Sequence, residues 1–291
     1  MAGLINDSGA SEPTVVACAY QVTDSRHSVT SDAPPVLLIH GVGLDRTMWR
    51  HQVGPLSRRA PVFTYDLRGH GESPALELVE SLGDYLADLV WLLDERFRAE
   101  RVDVVGFSLG GLIAQAFAVE HPERVNRLVL SNTFARDPAD RELIMERLSA
   151  VRTASEDGAV EASLSRWFTA DFLSSDGDSL DWIGARLKSN DRRAYLASHR
   201  ITATADHTLA DRLHQITAPT LVLTAEDDLG ATPTMAHRLA DSIAGAECRI
   251  LEGCRHLCMI ERPDDYLRVL TDFLYPAQPA AALAPAVPDR E

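Results

Sequence analysis

A mostly parallel α/β fold, its central sheet flanked by helices and interrupted by an inserted helical cap, is what the apolar pattern of this chain predicts. Two observations carry the prediction. Short β-rich apolar runs recur at Thr14–Tyr20, Val36–Ile39, Val62–Tyr65, Val102–Val105, Arg127–Leu130, Thr220–Thr224 and Cys248–Leu251. Most are continuous rather than alternating, as strands covered on both faces require. Helical patterns lie between them, and alternating strand and helix implies parallel strands joined by right-handed crossovers.

Taken in order, residues 1–13 show no periodic apolar pattern and are expected to be disordered, as is the Pro/Ala-rich tail 276–291. The core is expected to comprise 14–136 and 217–275. Its clearest helix places Leu82, Leu86, Leu89, Leu93 and Phe97 along one face. Asp84 and Asp88 lie off that stripe and are expected to face solvent. Between 137 and 216 the alternation lapses into helical patterns only, and two of the four tryptophans, Trp167 and Trp182, fall there. A helix-only stretch between two sheet strands predicts an inserted cap. A last helix is expected at Pro263–Leu274.

Composition narrows the function. Hydrophobic residues make up 45% of 291, enough for a sizeable core. A net charge of −15 argues against nucleic acid or an anionic membrane surface as the main partner, so the expected partner is a small molecule. No apolar run is long enough for a membrane span, and MAGLINDSGASEPT lacks the features of a signal peptide. The cytoplasm is therefore the expected location. Four cysteines in a chain this long make no disulfide framework. Cys254-Arg-His256-Leu-Cys258 does not have zinc-ligand spacing. No metal or cofactor is expected, and the oligomeric state is left open.

The chemistry concentrates at Gly106-Phe107-Ser108-Leu109-Gly110-Gly111, where a β-rich run turns into a helical pattern. Glycines flanking a serine at that junction form the nucleophile-elbow pattern, which lifts the hydroxyl above the sheet edge. A hydroxyl is a poor nucleophile at neutral pH, so it needs a base and a group to orient that base. Of ten histidines, His256 follows the last expected strand and is placed to reach that edge. His40 and His70 sit in glycine-flanked turns and are expected to brace loops. His199, His207 and His214 fall in the helix-only stretch and are set aside. The orienting acid is expected after strand 220–224, where Glu226, Asp227 and Asp228 follow in a row. Asp228 is the first choice and Asp227 the reserve. An oxyanion needs donors, and the backbone N–H groups of Leu109 and Val42 are the candidates.

His40-Gly41, the run Tyr65-Asp66-Leu67-Arg68-Gly69-His70-Gly71-Glu72-Ser73, the elbow, the Asp228 loop and His256 together resemble the α/β-hydrolase fold, including its order Ser…Asp…His. The resemblance spans about Val36 to Leu274. A closer likeness is to 3-oxoadipate enol-lactonases. It is carried by Leu130-Ser131-Asn132-Thr133, Arg166-Trp167-Phe168-Thr169-Ala170-Asp171-Phe172, Ala231-Thr232-Pro233 and Ile260-Glu261-Arg262. One departure stands out: this chain has His-Gly-Val-Gly after strand 36–39, where that family often has a Ser/Asn-rich loop.

The resemblance implies a serine hydrolase that opens an ester or lactone through an acyl-enzyme. A substrate bearing a carboxylate would be gripped by arginine, with Arg136 and Arg166 as candidates and Trp167 as pocket wall. Serine at the elbow, rather than aspartate, argues against haloalkane dehalogenase or epoxide hydrolase chemistry. A C–C bond hydrolase or a cofactor-free perhydrolase would use the same three residues. A ligand-binding receptor on the same fold is the alternative of another class, and a complete nucleophile–base–acid set argues against it.

Overall fold

The computed structural model describes residues 14–25, 33–75, 78–135, 145–146, 149–150, 152–204 and 207–276. Seven strands form one sheet: β1 (Tyr20–Thr23), β2 (Val36–Ile39), β3 (Val62–Tyr65), β4 (Val102–Phe107), β5 (Val125–Ser131), β6 (Thr220–Ala225) and β7 (Glu247–Leu251). Their spatial order is β1-β3-β2-β4-β5-β6-β7. Only β1 runs antiparallel to its neighbour; every other pairing is parallel. Central strands are buried along their whole length. Leu37 and Ile39 enter one core while Val36 and Leu38 enter the other, which is why these runs are continuous rather than alternating.

Six of the seven expected strands are found within two residues of their expected ends. The first is not. Residues 14–19 are not a strand, and only Tyr20 of the expected run joins β1. Side chains take two of its amides: Val16 N–H donates to Asp88 (2.7 Å) and Ala19 N–H to Ser73 (2.8 Å). A segment whose amides are already taken need not pair with a strand.

One core is closed by helices α1 (Leu82–Trp91), which continues as a π-helical stretch Leu92–Phe97, and α2 (Leu109–Glu120). The expected stripe faces inward, with Leu82, Leu89, Leu93 and Phe97 buried. The other core is closed by the helices Arg50–Ser57 and Pro263–Leu274, the latter burying Tyr266, Leu270 and Leu274 at four-residue spacing.

Asp84 and Asp88 do not face solvent; both are buried. Asp84 closes the N-terminus of α1, accepting from the N–H groups of Glu80 and Ser81, each at 2.9 Å. Asp88 takes both arms of Arg68, each at 2.7 Å. Helical periodicity sets a residue's face, but the chain that crosses over that face is set by topology, and here residues 14–19 and Arg68 cover it.

Between β5 and β6 the described residues form the helices Glu156–Trp167, Ala170–Ser175, Gly177–Lys188, Arg192–Thr204 and His207–Arg212. Tyr195, Ile201 and Leu213 join one core, and Trp167, Phe168 and Ile183 the other, so this segment is packed directly on the sheet layer. The expected disordered ends, save Pro276, lie outside the described residues. Among the described residues no helix is long and apolar enough to cross a membrane.

The Arg68–Asp88 pair makes a stability prediction. Asp88→Ala leaves a guanidinium buried without its partner and should cost about 3–5 kcal/mol in urea unfolding. Replacing both residues by apolar ones of similar volume should cost much less. Equal losses for the single and double replacements would contradict the pairing argument.

Candidate active site

β4 ends at Phe107, and α2 begins at Leu109; Ser108 is the hinge between them. Its φ of 53° and ψ of −114° are a backbone conformation that serine rarely adopts. The strain is held from both sides. Ser108 N–H donates to Ser131 O (3.0 Å), while Ser108 O accepts from the Thr133 hydroxyl and Gly111 N–H, each at 2.9 Å. The turn also demands glycine at Gly110, where a Cβ would lie 2.4 Å from Ile39 O and 2.6 Å from His40 O. At the head of α2, Leu109 N–H belongs to the first turn and has no acceptor within the helix.

His40 fixes the loop that follows β2. Leu67 N–H donates to its Nε2 (2.8 Å), which leaves Nδ1–H to donate to Gly41 O (2.8 Å). Burial lowers the pKa of His40 to about 4 and that of His70 to about 3, so both remain neutral braces, as expected of them. Val42, next in that loop, lines the same cavity as Ser108.

The three acids after β6 are separated by their surroundings. Glu226 and Asp227 are exposed; Asp228 is buried. Its Oδ2 accepts from His256 Nδ1 at 2.7 Å and from Asn132 Nδ2 at 2.9 Å. Its Oδ1 accepts from Gly230 N–H at 2.6 Å and Ala231 N–H at 3.0 Å. Burial by itself would raise its pKa, but His256, Asn132 and Ala231 outweigh burial and hold the carboxyl below its ordinary value. A carboxylate only accepts, so His256 carries its proton on Nδ1 and keeps the Nε2 lone pair free.

Ser108 and His256 open into one cavity, with Phe107, Phe134 and Trp167 among its apolar lining. His256 lies between two of these rings, its centroid 4.9 Å from Phe107 and 6.4 Å from Trp167. Trp167 is both buried and part of the cavity wall. Arg166 lines the cavity as well, half-buried, with its guanidinium 6.0 Å from the Trp167 ring centre. Among the described residues no carboxylate pairs with it, and burial lowers its pKa. Arg136 lies outside the described residues.

His199 also lines this cavity, with Thr202 and Ala203 on the same face of Arg192–Thr204. Burial, then Arg166 and His70, lower its pKa to about 3. Sequence reasoning set it aside with the other histidines of its segment. The three- and four-residue spacing of His199, Thr202 and Ala203 was the available signal that one face is shared.

The Arg166–Phe172 stretch is tied to the His256 loop. Glu261 accepts from the Thr169 hydroxyl, from Thr169 N–H (3.1 Å) and from Arg255 N–H (2.9 Å), and Leu257 N–H donates to Trp167 O (3.2 Å). The two sequence motifs are thus one structural unit. Cys254 and Cys258 flank His256 as free, buried thiols that donate to Leu251 O and Asn132 Oδ1.

The family model described as "Alpha/beta hydrolase family" matches residues 36–269. The chain is 28% identical over 236 residues to (E)-2-((N-methylformamido)methylene)succinate hydrolase of Acinetobacter baylyi, covering 80% of this chain and 87% of that protein. It is 25% identical over 236 residues to 3-oxoadipate enol-lactonase 2 of the same organism, covering 81% and 86%. Among solved structures, the enol-lactonase from Burkholderia xenovorans LB400 superposes with a TM-score of 0.80 at 33% identity, covering 89% of this chain and 98% of that one.

The elbow geometry predicts that Gly110→Ala forces α2 off the β2 end, costing about 1–3 kcal/mol of stability and slowing modification of Ser108 by a phosphonate. Wild-type stability and labelling in this variant would show that the close approach is not needed.

Proposed function

The chain belongs to the alpha/beta hydrolase family, and from that premise we propose that it is a serine hydrolase cleaving an ester or lactone bond of a small carboxylated molecule. The observation that carries this reading is the shared cavity. Ser108, the His256 held by Asp228, and Arg166, which has no carboxylate partner among the described residues, all meet in it.

In this reading Ser108 Oγ attacks the carbonyl carbon while His256 Nε2 takes the hydroxyl proton. The carbonyl oxygen becomes an oxyanion and is met by the N–H groups of Leu109 and Val42, the first of them at the positive end of α2. When the tetrahedral intermediate collapses, the ring or ester C–O bond breaks, and His256 returns its proton to the leaving oxygen. Water then gives a proton to His256 and attacks the acyl carbon, and as the bond from that carbon to Ser108 Oγ breaks, His256 returns the proton to Oγ. Throughout, Asp228 keeps the proton on Nδ1 and stabilises the imidazolium that forms twice per cycle.

Arg166 supplies the preference for an anionic substrate. A cation in a partly desolvated cavity grips a carboxylate with two parallel hydrogen bonds, and the burial that lowers the Arg166 pKa strengthens such a pair. The names of two relatives, a methylenesuccinate hydrolase and a 3-oxoadipate enol-lactonase, are those of enzymes acting on carboxylated molecules. The helices described between β5 and β6, which bring Arg166 and Trp167 to the cavity that Ser108 lines, serve as the cap.

Purified protein should hydrolyse p-nitrophenyl acetate, and Ser108→Ala should reduce turnover by several powers of ten, on the order of the loss seen when such a nucleophile is removed. A serine-directed phosphonate should add its mass to the peptide containing Ser108. Turnover unchanged in the variant would discard the serine mechanism. Arg166→Gln should raise KM for a carboxylated enol-lactone by about 10–100-fold and leave a neutral lactone of equal size nearly unaffected. An equal loss on both substrates would remove the carboxylate clamp.

A further inference from the structure

Asn132 directly follows β5 in the left-handed region, with φ at 47°. Its backbone is fixed across the sheet, Asn132 N–H donating to Leu223 O at 2.7 Å. Its side-chain amide is fixed as well. Oδ1 accepts from the Ser131 hydroxyl at 2.9 Å and from the Cys258 thiol at 3.2 Å. The Asp228 carboxylate on the other edge only accepts, so the NH₂ group must face it and the oxygen faces the hydroxyl and thiol. There it donates to Asp228 Oδ2 at 2.9 Å, the same oxygen that holds His256 Nδ1 at 2.7 Å.

We propose that Asn132 is a positioning residue of the Ser108–His256–Asp228 relay, acting through Asp228; the proposal rests on the serine hydrolase reading above. The two oxygens of Asp228 have separate tasks. Oδ1 is anchored by two backbone N–H groups of its own loop, and Oδ2 faces the imidazole. Without the amide, Oδ2 would keep only His256 and the distant Thr224 hydroxyl at 3.5 Å. The carboxylate could then swing about its Oδ1 anchor and would be less stabilised as an anion. Asn132 prevents both, and the amide is kept from turning over because its oxygen would then face the carboxylate, while Ser131 and Cys258 bind that oxygen on the other edge. Asparagine suits the place because it tolerates the left-handed backbone and offers an acceptor and a donor on opposite edges.

A double-mutant cycle tests this. Asn132→Gly keeps the backbone conformation accessible and removes the amide. It should slow p-nitrophenyl acetate hydrolysis and phosphonate labelling of Ser108 by about 10–100-fold, the worth of a hydrogen bond to a charged group. In an Asp228→Ala background the same change should cost less than about twofold, because the group through which Asn132 acts is gone. Additive losses would overturn the proposal, since a general packing role or a direct contact with substrate would survive the removal of Asp228. If Asn132→Gly does not fold, Asn132→Asp runs the same cycle with shape and left-handed tolerance retained and the donor lost above its pKa. The same two outcomes then decide the proposal. No effect of Asp228→Ala by itself would instead overturn the serine hydrolase reading.

Discussion

A carboxylate removed from water has to be satisfied by protein donors alone, and around Asp228 that requirement draws three separate stretches of chain together. The loop after β6 contributes Gly230 and Ala231, the end of β5 contributes Asn132, and the loop after β7 contributes His256. All three lie at the carboxyl edge of parallel neighbours, because β5, β6 and β7 are adjacent and run the same way. Ser108 enters from β4, the next strand along, and its N–H is bound to Ser131, the residue before Asn132. The sheet therefore sets the spacing of the candidate catalytic groups, and the buried anion sets their orientation.

A second constraint joins the helical segment to this edge. Glu261 reaches Thr169 and Arg255 at once, and Leu257 N–H takes Trp167 O. These bonds hold the end of helix Glu156–Trp167 against the loop that carries His256. Arg166 and Trp167 are in this way positioned by the same loop as the imidazole. Among the described residues no carboxylate pairs with Arg166, and burial lowers its pKa. Two cavity-lining residues, Arg166 and Trp167, and the imidazole of His256 are thus held by one docked contact.

Much of the fold was legible in the residues. Val36–Ile39 and Val62–Tyr65 are fully buried strands because their continuous apolar runs suit sheets covered on both faces. The stripe from Leu82 to Phe97 faces the core because its spacing follows the helical turn. Thr14–Tyr20 has the composition of a strand but lies beside Asp88 and Ser73, whose side chains take two of its amides. Asp84 and Asp88 lie off the apolar stripe, yet burial follows what covers a face and not only what the face is made of. At the site, Ser108 and His256 were readable from turn chemistry and chain order. His199 was not, because a cavity face is shared between helices that periodicity treats one at a time.

The sequence by itself determined the fold class, the Ser-containing turn between strand and helix, and the placing of Ser108 and His256 at the same edge of the sheet. Those features are local: they follow from glycine spacing, apolar runs and the order of elements. Tertiary structure alone decided between Asp227 and Asp228, because neighbouring acids of equal charge differ only in which one turns inward to four donors. It also decided that Asn132, Arg166 and His199 share the surroundings of Ser108. Contacts between residues ninety positions apart in the chain depend on how layers pack, and that information is not carried by any one stretch of residues.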